Sequence, residues 1–229
     1  MKGLDNIGAT CWLNALAQCL RVSRNWTEDA PEGDQFTYEF LRLVKCDTDN
    51  TTAFLKELPM NSSFGGNSPS DSQEALLYIL DRLERSISLT DFTGQVKQTV
   101  IYPGGRSETV SPCTIWFHGN SSKSETISGY EDHAGKKHNV AVIKRELVKV
   151  PKILVSDYAT DELFHGKKLL GVVIWGTGHY VSYVKEAGEW WYVNDHHYIK
   201  KEKPNLSRTY IAFYGVGKTY SQRTHSQET

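Results

Sequence analysis

A cysteine near one end of the chain and a histidine near the other restrict the fold more than any other feature. Cys11 lies in the run Gly3-Leu4-Asp5-Asn6-Ile7-Gly8-Ala9-Thr10-Cys11-Trp12-Leu13-Asn14. Far downstream come Gly178-His179-Tyr180 and then Trp190-Trp191-Tyr192-Val193-Asn194-Asp195. A nucleophilic thiol needs a base to take its proton, and the base needs a third group to orient it. The three residue types occur in the order Cys, His, Asn/Asp. To act together they require a fold that brings both ends of the chain into one cleft.

Each part has a bland alternative. A lone cysteine is most often a small buried hydrophobe, and Cys19, Cys46 and Cys113 are read that way. Cys11 differs because Thr10 is a candidate N-cap, which puts Cys11 at a helix start. The partial positive charge there, with a nearby imidazolium, is expected to lower its pKa. His179 precedes an apolar run, and Gly178 beside it leaves room for a substrate backbone. A hairpin from Tyr180 to Val193 would set Asn194 or Asp195 beside the ring, holding its tautomer through Nδ1. His196 and His197 are expected to be exposed turn residues. Asn6, on a loop with Gly8, is placed to join the Cys11 backbone N–H as a donor to an oxyanion. Its alternative role is to serve the turn.

The remaining pattern describes the lobes. Leu13, Leu16, Ala17 and Leu20 recur at helical spacing, as do Phe36, Phe40, Leu41 and Val44. Ser70 or Asp71 caps a helix predicted over Ser72–Arg85, and Asn61–Ser70 reads as a loop. Beyond Thr90 the pattern turns to short strands: 96–102, 114–117, 140–143, 147–150, 153–155, 169–175, 180–184, 190–193 and 209–214. Trp190 and Trp191 alternate across a strand, so one ring is expected in the core and one at the surface. Helices first and strands later predict an α+β fold.

Composition removes several classes of function. A net charge of −1 over 229 residues gives no general attraction to nucleic acid or a membrane surface. No apolar run approaches the roughly 20 residues that span a bilayer. Four cysteines without a CxxC pair indicate neither a disulfide scaffold nor a zinc knuckle. A reducing cytoplasm is the expected location, and a monomer the expected state.

The opening run resembles the first box of the ubiquitin-specific proteases, roughly GLxNxGxTCYxNxxLQ. Gly3, Leu4, Asn6, Gly8, Thr10, Cys11, Asn14, Leu16 and Gln18 stand in register, with Trp12 in place of Tyr. Asp71-Ser72-Gln73-Glu74-Ala75-Leu76 is similar to the second box, and Phe92-Thr93-Gly94 to the short FxG segment after it. Residues 169–195 are similar to the closing boxes. The resemblance implies a papain-like, two-lobe α+β cysteine protease spanning residues 1–218. Its parts would be a helical thumb (1–89), reduced fingers (90–139) and a β palm (140–218), with 219–229 a disordered tail. It implies Cys11 as nucleophile, His179 as base, Asn194 as the third member, Asp195 as its acidic neighbour and Asn6 as oxyanion donor. Substrate contacts are expected from Trp12, Gly178, Tyr180, Asp71 and Glu74.

The implied reaction is hydrolysis after the Gly-Gly tail of ubiquitin or a ubiquitin-like modifier, including the interferon-induced one. No cofactor is implied. Family fingers carry zinc-binding CxxC pairs, whereas Cys113 stands alone here, so no metal is expected. The small size and the Cys-Trp-Leu-Asn run are also similar to viral papain-like proteases of the picornavirus leader and nidovirus types. A compact viral deubiquitinase opposing host immunity is therefore the expected origin. Alternatives are a truncated cellular enzyme as the origin, cleavage of a viral polyprotein as the main activity, and an inactive ubiquitin-binding module.

Overall fold

The computed structural model describes residues 2–45, 51–59, 64, 70–117 and 124–216. Cys46, most of the expected 61–70 loop and the expected tail from 219 lie outside the described residues. Four helices come first: α1 (Cys11–Ser23), α2 (Gln35–Lys45), α3 (Thr51–Glu57) and α4 (Ser72–Glu84). Eleven strands follow: β1 (Gly94–Tyr102), β2 (Gly105–Cys113), β3 (Ile115–Trp116), β4 (Ser124–Glu131), β5 (Lys137–Lys149), β6 (Leu154–Ser156), β7 (Lys168–Gly176), β8 (His179–Glu186), β9 (Glu189–Asn194), β10 (His197–Lys200) and β11 (Thr209–Gly215). The expected α+β class, with helices preceding strands, is borne out.

The strands form two sheets, of order β2-β1-β5-β4 and β10-β9-β8-β7-β11-β6-β3. α1 packs on β7 and β8 of the larger sheet. It is buried along its whole length, with Leu13, Leu16 and Leu20 at most 1% exposed. Each such leucine contributes roughly 1.5–3 kcal/mol of burial free energy. Trp26, Phe36, Phe40, Phe54 and Phe92 complete the same core between α1, α2 and α4. The opposite face of the large sheet has its own cluster of Trp116, Leu154, Phe164, Val172 and Tyr214.

Burial of every side of α1 forces its polar residues to find partners indoors. Asn14, Gln18 and Arg21 form one stripe at i, i+4 and i+7, and all three hold the backbone of the N-terminal segment. Asn14 Nδ2 donates to the Leu4 and Asp5 carbonyls (3.4 and 3.2 Å). Gln18 Nε2 and Arg21 donate to the Lys2 carbonyl (3.0 and 2.9 Å). Residues 2–6 are thereby laid against the turn between β9 and β10, where Leu4 N–H donates to the Asp195 carbonyl (3.1 Å). Gly3 permits this crossing: a Cβ there would lie 2.3 Å from the His196 carbonyl oxygen.

Several elements differ from expectation. The segments expected as two strands, 140–143 and 147–150, are joined in the single strand β5, which runs through 144–146 and ends at Lys149. β2 and β4 escaped detection because they are edge strands, largely exposed on both faces, and lack the alternation a half-buried strand shows. β10, another exposed edge strand, and the short α3 were missed as well. Trp190 and Trp191 are both half-buried, one against each cluster, rather than one inside and one out.

The four-stranded sheet has a small core of Val100, Ala141 and Ile143, with Tyr102, Ile127 and Tyr130. Buried His138 contacts the Asp132 carboxylate through Nε2 (2.9 Å) and packs on Tyr102. Asp132 also accepts the backbone N–H groups of Ala134 and Lys136. These contacts, the His138 bond foremost, hold the Asp132 carboxyl below its usual pKa. A depressed carboxylate contributes stability above its unfolded pKa and loses it as pH falls through the folded value. His138→Ala is therefore expected to lower the Tm more than His133→Ala, an exposed control. The difference should shrink below about pH 4, as thermal melts across pH would show.

Candidate active site

The site is assembled at the start of α1, the start of β8 and the end of β9. Cys11 opens α1 and is 5% exposed. Thr10 occupies the N-cap position but makes no side-chain cap. Its hydroxyl donates to Asn6 Oδ1 (3.3 Å) and accepts the Ile7 N–H (3.2 Å), while its own N–H donates to Asn6 Oδ1 (3.2 Å). The first N–H groups of α1 are thus left for the sulfur, and the Cys11 and Trp12 N–H groups do face it. So does the backbone N–H of Tyr180, the residue after His179.

β8 and β9 form the expected hairpin, with Ser182 opposite Val193. Its turn carries Ala187 and Gly188 at positive φ, matching the twist of the paired strands. His179 Nε2 lies 2.7 Å from Asn194 Oδ1 and 3.8 Å from Asp195 Oδ2. An amide oxygen only accepts, so Nε2 carries the proton and Nδ1 presents its lone pair. The expectation of contact through Nδ1 is corrected: Asn194 uses Nε2, which leaves Nδ1 for a thiol. Of the two candidates left open, Asn194 makes the ring's hydrogen bond, and Asp195 stands 3.8 Å from it.

Asp195 has a different set of partners. Its Oδ1 accepts from Asn14 Nδ2 (2.8 Å) and its Oδ2 from Asn6 Nδ2 (3.0 Å). The carboxylate therefore clasps two asparagines of the N-terminal box. Asn6 is fixed at both ends, with its oxygen on Thr10 and one amide hydrogen on Asp195. The amide nitrogen carries a second hydrogen that these bonds do not use. Asn14, absent from the expected site, had a signal available: a polar residue in register on an otherwise apolar helix.

The expected substrate residues fall into two groups. Gly178 is exposed at φ 81 in the β7–β8 turn, and Glu74 is exposed on the first turn of α4. Trp12 (2% exposed) and Tyr180 (5%) are core residues, so their rings offer no contact surface in this conformation. Asp71 caps α4 by accepting from the Gln73 and Glu74 N–H groups (2.7 and 3.2 Å) and also accepts from the Tyr210 hydroxyl. Gln73 Nε2 donates to the Tyr210 carbonyl (3.0 Å). This end of α4 locks the helical lobe to the large sheet beside Tyr180. No group of three or more metal-ligating side chains occurs among the described residues.

The Cys11 thiol is pushed up in pKa, not down. Burial is the largest cause and the Asp195 charge adds to it, outweighing the three backbone N–H groups. The resting nucleophile is a protonated thiol. Alkylation of Cys11 by iodoacetamide is expected to lack a neutral-pH plateau and to keep rising above pH 9. Asp195→Asn, which removes a negative charge, should move that rise to lower pH. An acidic plateau in the wild type would contradict the resting state described.

The chain is similar to known proteins over nearly all of this architecture. It is 32% identical over 109 residues to ubiquitin carboxyl-terminal hydrolase 21 of Bos taurus and 31% identical to that of Homo sapiens. Each match takes in 38% of this chain and 19% of the relative, so the chain spans about a fifth of the curated relatives' length. Among solved structures, the SAGA Ubp8/Sgf11/Sus1/Sgf73 DUB module bound to ubiquitin aldehyde superposes with a TM-score of 0.72 at 16% identity. It covers 96% of this chain and 70% of that one. The same module bound to monoubiquitin also gives 0.72, at 18% identity over 96% and 69%. At such identities these likenesses concern the fold alone. The model of the family described as "Ubiquitin carboxyl-terminal hydrolase" matches residues 2–214, which takes in every element described above but the last residue of β11, and the chain belongs to that family.

Proposed function

We propose that the chain is a thiol-dependent hydrolase that cleaves the peptide or isopeptide bond after the C-terminal Gly-Gly of ubiquitin. The observation that carries this is the 2.7 Å contact of His179 Nε2 with Asn194 Oδ1, on a ring whose neighbour, Tyr180, donates its N–H to the Cys11 sulfur. His179 Nδ1 takes the thiol proton as Cys11 attacks the Gly carbonyl and the C–S bond forms. The oxyanion is met by the Cys11 N–H and the second amide hydrogen of Asn6. The C–N bond then breaks and the imidazolium returns its proton to the leaving amine. Water, deprotonated by His179, hydrolyses the thioester.

Asn194 fixes the tautomer this cycle needs. Asp195 acts at one remove, holding Asn6 in place. Ubiquitin as the substrate is supported by the two similar solved structures that hold ubiquitin aldehyde and monoubiquitin. A cellular enzyme is favoured over a viral one that processes a polyprotein or opposes immunity, because the curated relatives are mammalian. The presence of Cys11 together with the bonded His179–Asn194 pair argues against an inactive binding module. Gly178 and Glu74 are the exposed residues proposed to meet the ubiquitin tail and body.

A ubiquitin probe with a thiol-reactive C-terminus should label Cys11 covalently, and Cys11→Ala should abolish labelling in an intact-mass assay. Labelling that persists in this variant removes Cys11 as the nucleophile. Steady-state kinetics should show Asn194→Ala losing about 10²–10⁴ in kcat with little change in KM. Asn6→Ala should lose about 10²–10³. A mild Asn194→Ala beside a crippled Asp195→Ala would reverse the two roles.

A further inference from the structure

Asn14 lies on α1 one turn after Cys11 and is 2% exposed. Three oxygens converge on its amide nitrogen: Asp195 Oδ1 at 2.8 Å, the Asp5 carbonyl at 3.2 Å and the Leu4 carbonyl at 3.4 Å. Only a donor fits among three acceptors, and an amide nitrogen has two hydrogens to share among them. Turning the amide over would set its own oxygen against all three. Its Oδ1 has no hydrogen-bond partner among the described residues. The orientation is therefore dictated from the nitrogen end, although a buried oxygen is left unpaired.

The nearest of the three acceptors belongs to a carboxylate with two competing neighbours. Asp195 Oδ2 accepts from Asn6 Nδ2 at 3.0 Å and stands 3.8 Å from His179 Nε2. A carboxylate released from α1 is free to turn toward the imidazole and leave Asn6 behind. Asp195 also sits at φ 51, a backbone that a non-glycine residue keeps only where its surroundings hold it. The Leu4 N–H holds its main chain and Asn14 its side chain. At the other end of the relay, Thr10 secures the oxygen of Asn6 and leaves the direction of the nitrogen to Asp195.

Resting on the hydrolase reading, we propose that Asn14 is a positioning residue for the oxyanion. Asn14 holds Asp195, Asp195 holds the Asn6 amide, and Asn6 gives its second hydrogen to the oxyanion. The relay starts three residues from Cys11 on the same helix. One rigid element thereby keeps sulfur and oxyanion donor in register, and Asn14 itself touches no substrate.

The test uses the whole chain, with ubiquitin aminocoumarin as substrate. Ubiquitin aldehyde serves as a probe, because its adduct on Cys11 is tetrahedral and places an oxygen where the oxyanion forms. Asn14→Ala is expected to lower kcat about 10–10²-fold, the loss that a misplacement of about an ångström brings, with KM nearly unchanged. Ubiquitin aldehyde should bind more weakly by a similar factor, while ubiquitin itself binds as before. In an Asn6→Ala background, adding Asn14→Ala should cost less than about twofold in kcat, because both changes remove the same donor. Losses that multiply in the double variant, a loss confined to KM, or aldehyde and ubiquitin affinities that fall together overturn the positioning role. A wild type that does not turn over the aminocoumarin overturns the hydrolase reading and the role with it. Asn14→Ser, which leaves a smaller cavity and keeps a hydroxyl on the helix, serves the same comparison where Asn14→Ala folds poorly.

Discussion

The burial of α1 on every side governs the rest of the structure. A helix with one wet face could leave Asn14, Gln18 and Arg21 to water. Here water is excluded, and an unpartnered amide would cost about 1–3 kcal/mol. Donors of the stripe reach the carbonyls of Lys2, Leu4 and Asp5, and so the N-terminal segment becomes part of the core rather than a loose end. Asn6 inherits its position from that seam. The same helix also carries Cys11 on its first residue, so one packing event sets both sulfur and amide.

Asp195 joins this seam to the other end of the chain and has two opposed effects. Its carboxylate aligns Asn14 and Asn6. Its charge, added to burial, makes the Cys11 thiolate harder to form. The uncapped start of α1 works against that penalty, because Thr10 turns its hydroxyl to Asn6 and leaves the first N–H groups to the sulfur. Under the proposed mechanism a protonated resting thiol leaves activation to His179, whose ring is held through Nε2 by Asn194.

The smaller sheet is held by a few polar and aromatic contacts of its own. Cys113 is the sole cysteine in its strands, and its thiol donates to the Ile115 carbonyl. Order at the far end comes instead from buried His138, Asp132 and the Tyr102–Tyr130 pair. None of these stands out in the sequence, since a histidine and an aspartate six residues apart become partners only when the turn between β4 and β5 closes. The edge strands β2 and β4 are equally silent, because a strand exposed on both faces has no apolar rhythm to read.

The sequence by itself determined which residues are candidates for the chemistry and roughly where helices give way to strands. The order Cys11, His179, Asn194/Asp195 follows from what nucleophilic catalysis requires, and the 3.6-residue and alternating patterns follow from which faces must be dry. Tertiary structure alone decided which ring nitrogen of His179 meets Asn194, that Asp195 serves Asn6 and Asn14, and that the Cys11 thiol rises rather than falls. Those outcomes depend on distances of 3–4 Å and on local exclusion of water. Residues far apart in the chain acquire both only when the two lobes close on α1.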